Sequence, residues 1–216
     1  MKFISISDTH SKHNQIPLEW LEPADAILHA GDISSMGYDR EIYNFCSWFS
    51  KLDQYKHKIF IAGNHDWGFE RNPNDVALIL KEFPNITYLQ DSSVEIEGIK
   101  IYGSPWQPEF CNWAFNLERG AEIQEKWDMI PTDTDILITH GPAYGRGDFI
   151  PGPRGGYVGC KDLLDTIATK VKPKVHIAGH IHCGYGESFA GDTHFINAAT
   201  LNEQYIVTNP PIKFEL

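Results

Sequence analysis

The stretch Ile59-Phe60-Ile61-Ala62-Gly63-Asn64-His65-Asp66 runs four apolar residues into a glycine and then three polar side chains. A short, partly β-branched apolar run that stops at polar residues or glycine reads as a central strand of an α/β sheet. The same pattern recurs four times. Residues 3–6 lead to Asp8-Thr9-His10, 26–30 to Gly31-Asp32, 136–139 to His140-Gly141, and 175–178 to Gly179-His180-Ile181-His182. In such sheets ligands bind beyond the carboxyl ends of the strands. Five strands are therefore expected to aim five polar clusters at one rim.

The segments between these strands carry helical and hairpin patterns. Asp39 is placed to cap a helix with Ile42, Phe45, Cys46, Phe49 and Leu52 on one face. Further helices are expected over 73–83, 118–129 and 160–171. Residues 94–101 alternate apolar and polar about Glu97-Gly98, a hairpin pattern, and a second hairpin flanks Ala190-Gly191-Asp192. Short strands are expected near Tyr205 and Ile212. The expected architecture is a single α/β domain over 1–216. It is a four-layer α/β/β/α sandwich of two packed mixed sheets, with a dinuclear metal site at the carboxyl rim of the strands. Two long loops, 104–117 and 141–159, should lie near that rim.

The chain has 216 residues, 42% hydrophobic and 12% aromatic, enough for a substantial core. Its formal net charge of -11 argues against stable nucleic-acid binding, which rests on Lys and Arg neutralising phosphates. It does not exclude a small phosphate substrate, because bound metals invert the local potential. Four cysteines form no C-x-x-C pair and read as free thiols of a reducing compartment. No apolar stretch suits a signal peptide or a membrane span, so no membrane partner and a cytoplasmic location are expected.

Asp8, His10, Asp32, Asn64, His140, His180 and His182 make a set of seven oxygen and imidazole donors with no thiolate. Such a set suits divalent Mn, Fe, Zn or similar ions, with Mn favoured here. It suffices for two metals if one carboxylate bridges. Two metals roughly 3.5–4 Å apart are a recurrent device for cutting phosphate esters. A structural zinc site fits poorly, since such sites are usually cysteine-rich and closed.

The order D-x-H, G-D, G-N-H-D, H-G, G-H-x-H resembles the calcineurin-like metallophosphoesterase superfamily, from Asp8 to His182. One departure is Thr139, where the family usually has Gly. Tyr102-Gly103-Ser104-Pro105-Trp106-Gln107-Pro108 and Asn116-Leu117-Glu118-Arg119-Gly120 resemble the metallophosphodiesterase-domain (MPPED-like) branch. The resemblance implies that Asp8, His10 and His182 hold one metal, that Asn64, His140 and His180 hold the other, and that Asp32 bridges. A hydroxide shared by the metals would attack phosphorus, with His65 as general acid and Asp66 holding its other ring nitrogen. The implied activity is a phosphodiesterase on small phosphodiesters, with 2′,3′-cyclic nucleotides as candidates. The alternative is a phosphomonoesterase or promiscuous phosphatase. A non-catalytic scaffold fits less well, because every ligand and His65 are present.

Outside the clusters, His13 lies just past His10 and is a candidate substrate contact by position. Trp106, Phe110, Trp113 and Phe115 either wall a pocket or pin a loop to the body. Arg146 and Arg154 are candidate phosphate contacts or solvated loop charges. His29 and His176 read as structural.

Overall fold

The computed structural model describes residues 1–153 and 155–216. In chain order its elements begin with β1 (Lys2–Ile6), β2 (Ala24–His29), α1 (Asp39–Ser50), β3 (Tyr55–Phe60), α2 (Trp67–Arg71) and α3 (Pro73–Lys81). Then come β4 (Thr87–Tyr88), β5 (Ser92–Ile96), β6 (Ile99–Ser104), β7 (Gln107–Pro108), β8 (Asn116–Leu117) and α4 (Ala121–Asp128). The rest are β9 (Ile136–Thr139), β10 (Phe149–Ile150), β11 (Gly156–Tyr157), α5 (Lys161–Thr166), β12 (Val175–Ala178), β13 (Gly186–Ala190), β14 (Thr193–Asn197) and β15 (Ile212–Glu215).

Two mixed sheets follow, in the orders β15-β1-β2-β3-β4 and β13-β14-β12-β9-β6-β5. In each, the central strands pair in parallel and an outer strand pairs antiparallel, as β15 does on β1 and β13 on β14. Side chains alternate between faces of a strand, and both faces here are apolar. Ala26, Leu28, Ile59 and Ile61 of the first sheet meet Ile136, Ile138, Val175 and Ile177 of the second. Their neighbours Ile27 and Phe60 turn the other way, onto Phe45 and Phe49 of α1. Leu137 and Phe195 likewise face Ile123 and Trp127 of α4 and Leu163 of α5. The result is the four-layer α/β/β/α sandwich. The parallel strands put the ends of β1, β2, β3, β9 and β12 on one rim.

Some details differ from the sequence expectation. Tyr38, not Asp39, is the residue before the first turn of α1. Glu41 reaches back to accept from the backbone N–H groups of Ser35, Met36 and Tyr38, so no Asp39 cap is needed. α4 starts at Ala121 rather than 118, after Gly120 at φ +86. The last expected helix is α5 followed by a π-helical turn over Ile167–Val171. Tyr205 lies in a turn, its N–H bonded to the Asn202 carbonyl at 2.8 Å. Among the described residues no helix is long and apolar enough to cross a membrane.

His176 sits inside β12 and steadies the rim from beneath. Thr139 Oγ1 donates to the Gly141 carbonyl at 2.7 Å, so the His176 Nε2–H donates to Thr139 Oγ1 at 2.8 Å. Burial pushes the His176 pKa down to about 3. Its folded pKa lies below the unfolded value near 6.5, so its contribution is intact above that value and lost as pH falls through it. Between pH 7 and 5 the loss should be about 2 kcal/mol. Urea unfolding of wild type and His176→Gln at both pH values should show a shallower decline in the variant by about that amount.

Candidate metal centre

Backbone bonds clip the Asp8 cluster to the Asp32 cluster and the His140 cluster to the His180 cluster, and the His65 N–H ties the Asn64 cluster to the Asp32 carboxylate. Asp8 N–H donates to the Gly31 carbonyl at 2.9 Å, and His10 N–H to the Asp32 carbonyl at 3.0 Å. Gly179 N–H donates to the His140 carbonyl at 2.9 Å. Asp8, His10, Asp32 and His180 all adopt positive φ, at 53°, 40°, 56° and 66°. Left-handed backbone is uncommon outside glycine, though Asp and His adopt it more readily than most, and it clusters at functional sites. Two glycines permit the close approach. A Cβ on Gly63 would lie 2.7 Å from the His140 ring, and one on Gly179 would overlap the Asp8 carboxylate and Ser7.

These clips bring the donor atoms together. Asp32 Oδ2 lies 3.6 Å from His10 Nε2 and 3.3 Å from His140 Nε2. His182 Nε2 lies 3.4 Å from Asp8 Oδ1 and 3.2 Å from His10 Nε2. Asn64 Oδ1 lies 3.0 Å from His140 Nε2, and the His180 ring centre 5.1 Å from that of His140. His140 and His182 donate Nδ1–H to the carbonyls of Ala30 and Asn202, both at 2.9 Å, which turns Nε2 inward as metal-binding histidines require. Asp8–His10–His182 and Asp8–Asp32–His140 each satisfy the spacing of a divalent-metal cluster. So does His10–Asp32–His65.

The charge distribution favours a cation. Burial alone would raise the Asp8 and Asp32 carboxyls, but His182 and His140 outweigh it, and both stay below the usual carboxylate range. Burial opposes charge on His140 and His182 too, yet Asp32 and Asp8 carry each up to about 9. His10 and His180 are pushed down to about 4 by burial. Metal and proton compete for such nitrogens, so the donor set fits divalent ions.

The calcineurin-like phosphoesterase model (Metallophos) matches residues 1–184. The chain belongs to the calcineurin-like phosphoesterase family. All of it aligns at 39% identity with 71% of human Metallophosphoesterase domain-containing protein 1. It aligns at 38% identity with 60% of the Caenorhabditis elegans UPF0046 protein T07D4.2. Over 91% of this chain and 88% of the other, the fold matches that of TT1561 of Thermus thermophilus, with a TM-score of 0.60 at 15% identity. The family is one of divalent-metal-dependent phosphoester hydrolases.

Within this calcineurin-like phosphoesterase, the expected bond between Asp66 and His65 is not formed. His65 Nδ1–H donates instead to the Ser35 carbonyl at 2.8 Å, and the ring stacks on Trp113 at 4.1 Å. Asp66 turns inward and accepts from Gly63 N–H, Ile33 N–H, Ser34 N–H and Ser34 Oγ. It ties the Asp32 loop to the Asn64 loop, and burial together with the Asp32 charge lifts it to about 7. Asp66 is thus a positioning residue.

The expected substrate contacts also need correction. His13 is buried against Phe45 and Trp48, with ring centres at 5.7 and 5.0 Å, because its short helical turn packs under α1. Trp106 pins its loop: Nε1–H donates to Asp91 at 2.8 Å and Lys126 covers the ring at 4.4 Å. Arg146 lies over Phe195 at 5.1 Å, on the helix side of the second sheet. Arg154 lies outside the described residues. A cavity of about 460 Å³ adjoins His180 and His182, walled by both long loops through Phe110, Pro142, Ile150 and Val158, and by Glu109, Arg119, Glu203 and Tyr205. Tyr205, Glu203 and Arg119 are not among the site residues expected from the sequence. Arg119 lies in the Asn116–Gly120 motif, whereas no spacing marks Glu203 and Tyr205, whose loop meets the rim only in three dimensions.

Replacing Asp66 by Asn puts an amide N–H₂ among four donors. The cost should be about 3 kcal/mol, read as a lower urea midpoint. If stability is unchanged and only the activity pH profile moves, Asp66 acts on His65 after all.

Proposed function

We propose that this protein is a two-metal phosphodiesterase acting on small diesters, 2′,3′-cyclic nucleotides among them. Asp8, His10 and His182 would hold one ion, Asn64, His140 and His180 the other, with Asp32 shared between them. The support for Asp32 is its Oδ2, set between His10 Nε2 and His140 Nε2, one nitrogen from each set. When bound, the metals would supply an activated water and positive charge beside the phosphoryl oxygens.

His65 would protonate the leaving oxygen from Nε2. Its Nδ1–H stays on the Ser35 carbonyl throughout, and this bond together with stacking on Trp113 fixes the ring. The buried Asp32 also accepts from the His65 N–H at 2.8 Å, so the acid and the shared ligand are held in register.

The observation that favours a diester is the charge of the cavity. Arg119 lines it, but its guanidinium donates to the carbonyls of Gly159 and Val158 at 2.8 and 2.6 Å. Glu109 and Glu203 line the same cavity, two carboxylates against one guanidinium whose N–H groups are already engaged. A monoester carries an extra negative charge, which this lining opposes and a diester avoids.

Mn-loaded protein should therefore show a higher kcat/KM on bis-p-nitrophenyl phosphate than on p-nitrophenyl phosphate; the reverse order would establish a phosphomonoesterase. His65→Ala should lower kcat on the diester by roughly 10²–10⁴-fold while leaving bound metal unchanged.

A further inference from the structure

Beyond the family match at residues 1–184, β14 carries the chain into a turn at 202–206 that lies against the metal centre. Asn202 Oδ1 accepts from the N–H groups of Gln204 and Ile206, both at 3.0 Å. The Lys12 ammonium donates to the Tyr205 carbonyl. These bonds hold Tyr205 at φ +57°, a conformation unfavourable for an aromatic residue. The strain places the Tyr205 ring 4.9 Å from His10 and 5.2 Å from His182, centre to centre. Tyr205 is nevertheless 41% exposed and lines the cavity.

Strain spent on a ring that lines a cavity and lies against two histidines of the centre points to a ligand. Phe110, 56% exposed, lines the same cavity with its ring edge-on to His180 at 6.1 Å. One exposed ring thus attends each of the cavity's two histidines. Trp113, the partner of His65, is not among the described residues that line this cavity.

We infer that Tyr205 contacts the substrate and, with Phe110, receives a planar group of the ester, the group that stays on phosphorus rather than the one that leaves. The inference rests on the phosphodiesterase reading. Stacking and edge contacts with aromatic rings supply the selectivity.

Two esters separate this role from packing, because they share a p-nitrophenolate leaving group. Bis-p-nitrophenyl phosphate keeps an aryl group on phosphorus, and methyl p-nitrophenyl phosphate keeps a methyl. Tyr205→Ala should lower kcat/KM for the aryl ester by roughly 10-fold and for the methyl ester by less than about 2-fold. Tyr205→Phe should match wild type on both. An equal fall on both esters would mean that the ring packs on His10 and His182 or meets the shared leaving group, a loss of bound metal in Tyr205→Ala would mean that it only packs, and either would overturn the inference. If wild type hydrolyses neither ester, the diesterase reading falls. Calorimetric binding of diphenyl against dimethyl phosphate to Mn-loaded protein then decides: the aryl preference should vanish in Tyr205→Ala, and its persistence would overturn the contact.

Discussion

The carboxylate of Asp32 is the point on which the rest of the site depends. Its Oδ2 faces His10 and His140, its Oδ1 accepts from the His65 N–H, and its backbone carbonyl accepts from the His10 N–H. One residue therefore joins groups from β1, β3 and β9, across both sheets. The requirement is steric as much as electrostatic. Asp32 sits at φ 56°, and Gly63 must lack a Cβ for the two loops to approach. A carboxylate buried this deeply is costly unless compensated. The surrounding histidines compensate it, and a bound divalent ion would do the same in their place.

The layered core serves that arrangement. Ile59 and Ile61 face the second sheet while Phe60 faces α1, so β3 is gripped on both sides. Asn64 is delivered where the strand ends. Asp66 then locks the turn to the Asp32 loop, and His29 locks the Asp8 loop by meeting Thr9 Oγ1 at 3.0 Å while its Nδ1 accepts from the Gly31 N–H. Beneath the strand ends, polar groups work as fasteners. At the rim they are aimed at a ligand.

Much of the fold was legible because its signals are local. Apolar runs that stop at polar residues or Gly marked the central strands, and Glu97-Gly98 marked the β5–β6 hairpin. The residues that converge on the rim were legible by type and order. What adjacency suggested was less dependable. Asp66 follows His65 in sequence, yet the turn through residues 63–66, closed by Asp66 N–H on the Gly63 carbonyl, sends the two side chains apart. His13 follows His10 by three residues and is buried under Trp48. Tyr205 reaches His10 from almost two hundred residues away, through a turn whose geometry no periodicity encodes. The net charge of -11 is legible too, and part of it gathers where Glu109 and Glu203 border the cavity.

A crystal structure of the Mn-loaded protein with anomalous scattering data tests the central claim most directly. Two anomalous peaks roughly 3.5–4 Å apart, with an Asp32 oxygen between them and His65 unligated, are expected. A single peak, or a metal bound through His65, would contradict it.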